Sequence, residues 1–346
     1  MSKLYNLARM TTATAGTGTI TLGAAASGYL TFGLAGVADG DVVTYGIKDG
    51  ANSEIGYGKY TSSGTTLTRN VLKSTNSNSA ISLSGSAEVY VTAGSADFPF
   101  PDNWLSGLTL SNDGTTPNTV FDIAAGGAAD STNTEIMRLA SAITKSNGAW
   151  AVGTGNGGID TGSVAASTWY HVYLIRRPDT GVVDALFSTS ASAPAMPTNY
   201  TQKRRIGSLL TNGSANWIAF TQLGDEFLWK TPLQDVNNFS LTTTSTLFAL
   251  TIPSGVQVRA NFRVTYSNSA AGTFAVVSSP DENTQVANTP LGNLNLATSG
   301  AGLATAQNFS IRTNTSRQVR AVSAQAANDS LYIVTYGWID TRGRDG

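Results

Sequence analysis

The chain has 346 residues, a formal net charge of -1 and no cysteine, with only 12% charged residues, about half the usual share, against 41% apolar ones. That length allows two or three domains with cores of their own, and the apolar fraction, with aromatics spread throughout, excludes a disordered chain. The balance of charge gives no field to gather nucleic acid, and the lack of thiols excludes a disulfide framework and a thiolate zinc site.

Met1 to Met10 contains Lys3 and Arg9 but no apolar run of signal-peptide length, and no later window approaches a membrane span, so a soluble protein without a Sec-type signal or membrane insertion is expected. Short strands are predicted at Thr19 to Leu22, Tyr29 to Phe32, Val42 to Ile47, Thr66 to Leu72 and Glu88 to Thr92. Asp39-Gly40, Asp49-Gly50, Ser63-Gly64 and Ser84-Gly85 supply the turns between them. The expected first domain is a small antiparallel β module over 1–97. Pro99 and Pro101 then interrupt any ladder, which makes 98–105 a linker.

From 106 to 346 the β rhythm resumes, in Leu108 to Leu110, Val120 to Ala124, Trp169 to Arg176, Val182 to Ser188, Arg205 to Leu210 and Trp217 to Trp229. Thr132 to Glu135 has capping-box spacing ahead of Ile136, Leu139, Ala140 and Ile143, yet Met137, Leu139, Ser141 and Ile143 equally line one face of a strand, and the all-β surroundings favour the strand. Val256, Val258, Ala260, Phe262, Val264 and Tyr266 alternate with polar residues and define a strand with one wet face. Leu331 to Ile339 is apolar on both faces, so it lies between two sheets or meets another subunit. The fold class is all-β, with the N-terminal module followed by a jelly-roll-like β-sandwich region that is one sandwich or two, divided near 236 at Asn237-Asn238.

Chemistry-bearing patterns are sparse. His171 is the single histidine, set in an apolar strand where a hydrogen-bonded structural role is the plain reading; metal sites requiring two imidazoles are excluded. Asp225-Glu226 would point to opposite strand faces and Asp281-Glu282 follows Pro280 in a turn, so both pairs read as solvated loop charge rather than as a glycosidase pair. Gly153-Thr154-Gly155-Asn156-Gly157-Gly158 lacks the helix that a phosphate-cradling loop needs and reads as a mobile or many-turned connection. The basic runs Arg176-Arg177 and Lys203-Arg204-Arg205 are too short for nucleic acid. Asn308-Phe309-Ser310 and Asn328-Asp329-Ser330 carry little meaning as glycosylation acceptors in a chain so rich in Asn and Ser. Trp104, Trp150 and Trp217 are the aromatic candidates for stacking on sugar rings. No catalytic residue, metal ligand or cofactor is assigned, and the chain is expected not to be an enzyme.

Several segments resemble proteins of tailed bacteriophages and prophages of the tail-fibre or head-fibre type. In the first module these are Asn6-Leu7-Ala8-Arg9, Gly16 to Gly23, Gly28 to Phe32, Ala38 to Asp41, Asp49 to Gly56 and Lys73 to Ser77; in the second they are Trp150 to Gly158, Tyr170 to Arg177, Phe187 to Ala191, Lys203 to Ser208 and Tyr336 to Asp340. The resemblance implies a virion structural protein assembled in the bacterial cytoplasm, commonly a homotrimer. It implies a fibre or spike with one end bound to other virion proteins and the other projecting, and the leading reading has the projecting end meet a host surface glycan. A capsid decoration or head-fibre protein without a receptor role is the alternative, and a polysaccharide depolymerase a third reading. By the same analogy, Lys3, Tyr5, Leu7 and Arg9 are candidates for virion attachment, and a chain lacking Met1 to Met10 is expected to fold but not to enter particles.

Overall fold

Alternation with period two organises many of the described strands, Arg259–Asn268 most plainly. A computed structural model describes residues 3–94, 97, 101–270, 273–287, 295–297, 302–325 and 329–344, and among them there are strands, a 3-10 turn at Ser62–Gly64 and no α-helix. The chain is all-β and divides into two compact units, Met1–Pro99 and Phe100–Gly346.

In the first unit Val42–Asp49 is the central strand, paired antiparallel with Asn52–Thr61 on one side and Ala87–Val91 on the other, where Arg9–Thr12 extends the sheet. Met10, Ile20, Phe32, Val43, Tyr45, Ile47 and Val89 close its core. Tyr29 to Phe32 is not a strand: Leu30 makes a single bridge to Ala8, turns follow, and Phe32 reaches the core from irregular backbone. Glu54 lies buried in this core, accepting from Tyr45 Oη at 2.7 Å, from Arg69 Nε at 3.0 Å and from the backbone N–H of Ile81 at 2.9 Å. Burial alone would raise the carboxyl's pKa, but the Arg69 and Tyr45 hydrogen bonds outweigh it and hold the group below its ordinary range.

In the second unit a seven-stranded sheet has Trp169–Arg176 between Val183–Ser188 and Gln202–Leu210, and it includes parallel pairings of Gly157–Ile159 with Ile143–Ala149 and with Val183–Ser188. A five-stranded sheet places Asp329–Ile339 between Glu226–Phe239 and Arg259–Asn268. The two share one core, sandwich fashion: the Trp169 and Trp338 rings meet edge to face at 5.5 Å, and Trp338 stacks on Phe227 at 5.0 Å. Trp169–Arg176 is covered on both faces. Trp169, Tyr170, Val172 and Leu174 enter the main core, whereas Tyr173 and Ile175 pack with Leu186 and Tyr200 in a smaller cluster backed by Trp150 and Met196.

Some sequence-based expectations change. Leu105 opens the strand Leu105–Gly107 instead of ending a linker. Ile136–Leu139 is a strand with Met137 and Leu139 buried, as favoured, but Ser141 is exposed and Ile143 begins the next strand. Glu226–Phe239 runs through Asn237-Asn238 with Val236 in the core, so no division falls there. Asp329–Ile339 buries Leu331, Ile333 and Thr335 on one face, while Tyr332, Val334 and Tyr336 are only half covered on the other. Asn328 of the second glycosylation match lies outside the described residues.

Candidate functional site

The N-terminal segment is fastened to its own unit. Lys3 Nζ pairs with Asp41 at 2.6 Å and Tyr5 Oη donates to the same carboxylate, which its Lys3 and Tyr5 contacts hold down at about 2. Arg9 pairs with Glu88 and lies over the Tyr29 ring at 5.1 Å and the Tyr90 ring at 5.6 Å. Of the four residues singled out, Lys3, Tyr5 and Arg9 are thus engaged internally, and Leu7 is open, 59% exposed in the left-handed region at φ 62°. Leu7 is not isolated: its carbonyl accepts from the N–H of Leu30, and Tyr29 and Leu30 are themselves exposed. Tyr5 packs over Gly36, on the turn that projects Leu34, the most open of these leucines at 76%. Sequence reading missed Leu30 and Leu34; their signal was an apolar residue on each side of a turn.

Ala8 and Met10 are core residues and Arg9–Thr12 is a paired strand, so the expectation that a chain without Met1 to Met10 would fold is corrected: that deletion removes part of the core.

The three tryptophans do not form a sugar platform. Trp217 is buried at 3% exposure among Phe121, Tyr170 and Phe187 and has no face to offer, which corrects its assignment as a glycan contact. Trp150 donates to the Ala185 carbonyl at 3.0 Å and meets Tyr200 edge to face, and Trp104 packs against Gly127, so both are half-buried wall elements.

His171 is buried and shares a hydrogen bond of 2.9 Å with Ser208 Oγ. Burial first, then the charge of Arg205, lowers its pKa to about 4. The glycine-rich 153–158 segment is an anchored connection: the buried Lys145 ammonium donates to the carbonyls of Ala151 at 2.9 Å and Gly153 at 3.0 Å, and pairs with Asp184 at 2.9 Å.

The carboxylates divide. Asp281 lies in a turn, exposed as expected, and takes Arg312 at 2.9 Å. Asp225 is not a free loop charge, because Arg342 at 3.1 Å and Arg344 both close on it. Arg205 is bidentate to the buried Asp340 at 2.6 and 2.7 Å. Arg204, 4% exposed, donates only to neutral acceptors: the Arg342 carbonyl at 3.2 Å, Asn103 Oδ1 at 3.1 Å and the Asn103 carbonyl at 3.4 Å. Among the described residues no group of three His, Cys, Asp or Glu side chains could hold a metal, and no helix is long and apolar enough to cross a membrane.

No protein-family model and no curated protein matches the chain. Among solved structures, infectious bursal disease virus of the Gx strain aligns over 97% of this chain and 72% of that one, at 10% identity and a TM-score of 0.22. The VP2 subviral particle of the same virus aligns over 99% and 74%, again at 10% identity and a TM-score of 0.22. A GH32 β-fructofuranosidase of Bombyx mori aligns over 87% and 63%, at 8% identity and a TM-score of 0.15. Overlays this loose carry no argument about arrangement or role.

Proposed function

We propose that this chain is a structural protein of a bacteriophage virion, of the fibre, spike or head-fibre type, whose first unit docks on another virion protein. The observation that carries the docking is the exposed apolar group of Leu7, Tyr29 and Leu30, where Leu7 and Leu30 are joined through a backbone hydrogen bond, with Leu34 exposed on a turn of the same unit. Exposed apolar side chains held together on a folded surface mark interaction sites. The sequence likeness to phage fibre proteins supplies the class of partner. A non-enzymatic role is supported by the commitment of Asp225 and Asp281 to arginine pairs, and contact between the second unit and a host glycan belongs to the same proposal.

The test is the full chain carrying Leu7→Asp and Leu30→Asp, both at exposed positions. Its melting temperature should match the parent within a few degrees, while its amount in gradient-purified particles should drop at least about tenfold, the loss expected when charges enter an apolar contact. Parental incorporation of the folded double variant would refute docking through this surface. Antibody label on head or tail of the parent particle then separates a head fibre from a tail fibre.

A further inference from the structure

Arg204 is a buried guanidinium with no carboxylate in ion-pair range among the described residues, and it lines a pocket of about 330 Å³ together with Lys203, Arg205 and Arg342. Among the described residues no acidic side chain lines that pocket. Asp340 offsets Arg205 and Asp225 offsets Arg342, which leaves Arg204 and Lys203 in excess. Lys203 Nζ donates only to the Ser192 carbonyl at 2.8 Å. The Nε of Arg342 is buried and has no hydrogen-bond partner among the described residues. Burial, and then repulsion from Arg205, Arg344 and Arg342, lowers the pKa of Arg204 against a smaller opposing pull from the Asp130 carboxylate, so the folded chain bears a cost that a bound anion would relieve. A buried cation normally has its counter-ion close by.

We propose that this pocket binds one oxyanion of an acidic saccharide, a carboxylate or a phosphate, on Arg204 with Lys203 at its rim. Guanidinium donors suit either group. The remaining wall is made for a sugar: Asn103, Ser131 and Ser192 bring amide and hydroxyl groups, and Tyr173 brings an aromatic edge. The volume lies at the small end of ligand pockets, which favours one terminal residue of a chain. The choice of a saccharide rests on the reading of the chain as a host-contacting virion protein; the oxyanion chemistry does not.

Calorimetric titration of the full chain with glucuronate, glucose 6-phosphate, inorganic phosphate and glucose tests this. One saturable site for glucuronate or glucose 6-phosphate, with glucose silent, is expected, and the tighter of the two identifies the oxyanion. Arg204→Gln should weaken binding at least about tenfold, the loss typical of a charge-assisted hydrogen bond. Should that variant not fold, Ser131→Trp, at an exposed wall position, should block the pocket while melting like the parent. Binding of glucose equal to that of the acidic sugars, no saturation by either acid, or unchanged affinity in both variants would overturn the site. Equal affinity for inorganic phosphate and glucose 6-phosphate would overturn the saccharide. None of these readouts depends on particle incorporation, so the two proposals fail separately.

Discussion

His171 contributes to the second unit a pH dependence of defined sign. Its folded pKa of about 4 lies below the ordinary imidazole value of 6.5, so as pH falls the unfolded chain takes up the proton first and stability declines between those values. The whole window corresponds to about 3 kcal/mol at 1.36 kcal/mol per unit. Between about pH 6.5 and 5, above the ordinary carboxylate range, urea unfolding should lose stability progressively, with Asp122 and Asp329, whose carboxyls burial pushes up, acting in the opposite direction. His171→Asn should flatten that stretch, and an unchanged slope would count against the assignment. Lys145 makes a harsher demand: Lys145→Met leaves Asp184 buried without its cation and frees the carbonyls of Ala151 and Gly153. A loss of about 3–5 kcal/mol is expected by chemical denaturation, the cost of breaking one side of a buried pair.

At the scale of elements, close approach decides which strands were legible. Asp329–Ile339 crosses Glu226–Phe239 so tightly at Gly337 that a Cβ there would stand 1.9 Å from the Phe227 carbonyl oxygen. Gly337→Ala should therefore lower stability by more than about 3 kcal/mol, since only backbone movement makes room; a melting temperature equal to the parent's would show that the crossing yields. The same kind of contact hid the ten-residue strand Asn52–Thr61 from sequence reading. Its inward face is Glu54, Gly56, Gly58 and Tyr60, so the apolar alternation is missing, and at Gly56 a Cβ would meet the Asn70 carbonyl at 2.3 Å. By contrast Ala260, Phe262, Val264 and Tyr266 alternate inward as their sequence predicts, although the strand begins at Arg259 and not at Val256. Phe274–Ser278, Ala304–Arg312 and Gln318–Ser323 were not singled out, the middle one because only Phe309 and Ile311 along it are buried.

At the scale of the whole molecule, the interaction surfaces were less legible than the fold because chain-distant residues compose them. Lys203-Arg204-Arg205 reads in sequence as a short basic run, and only folding brings Arg342 beside it and assigns Asp340 to Arg205. Leu7 and Leu30 meet through one backbone hydrogen bond between segments that look unrelated. Two β units with separate cores, few charges and ion pairs largely spent on internal contacts suit a building block of a larger particle. The most direct test of the proposed virion role is quantitative mass spectrometry of gradient-purified, salt-washed particles from the phage or induced prophage proposed as the source of the chain. Peptides from both units should remain with the particles at a fixed ratio to the major capsid protein across independent preparations. Recovery of the chain only in the unassembled soluble fraction would contradict a virion structural role.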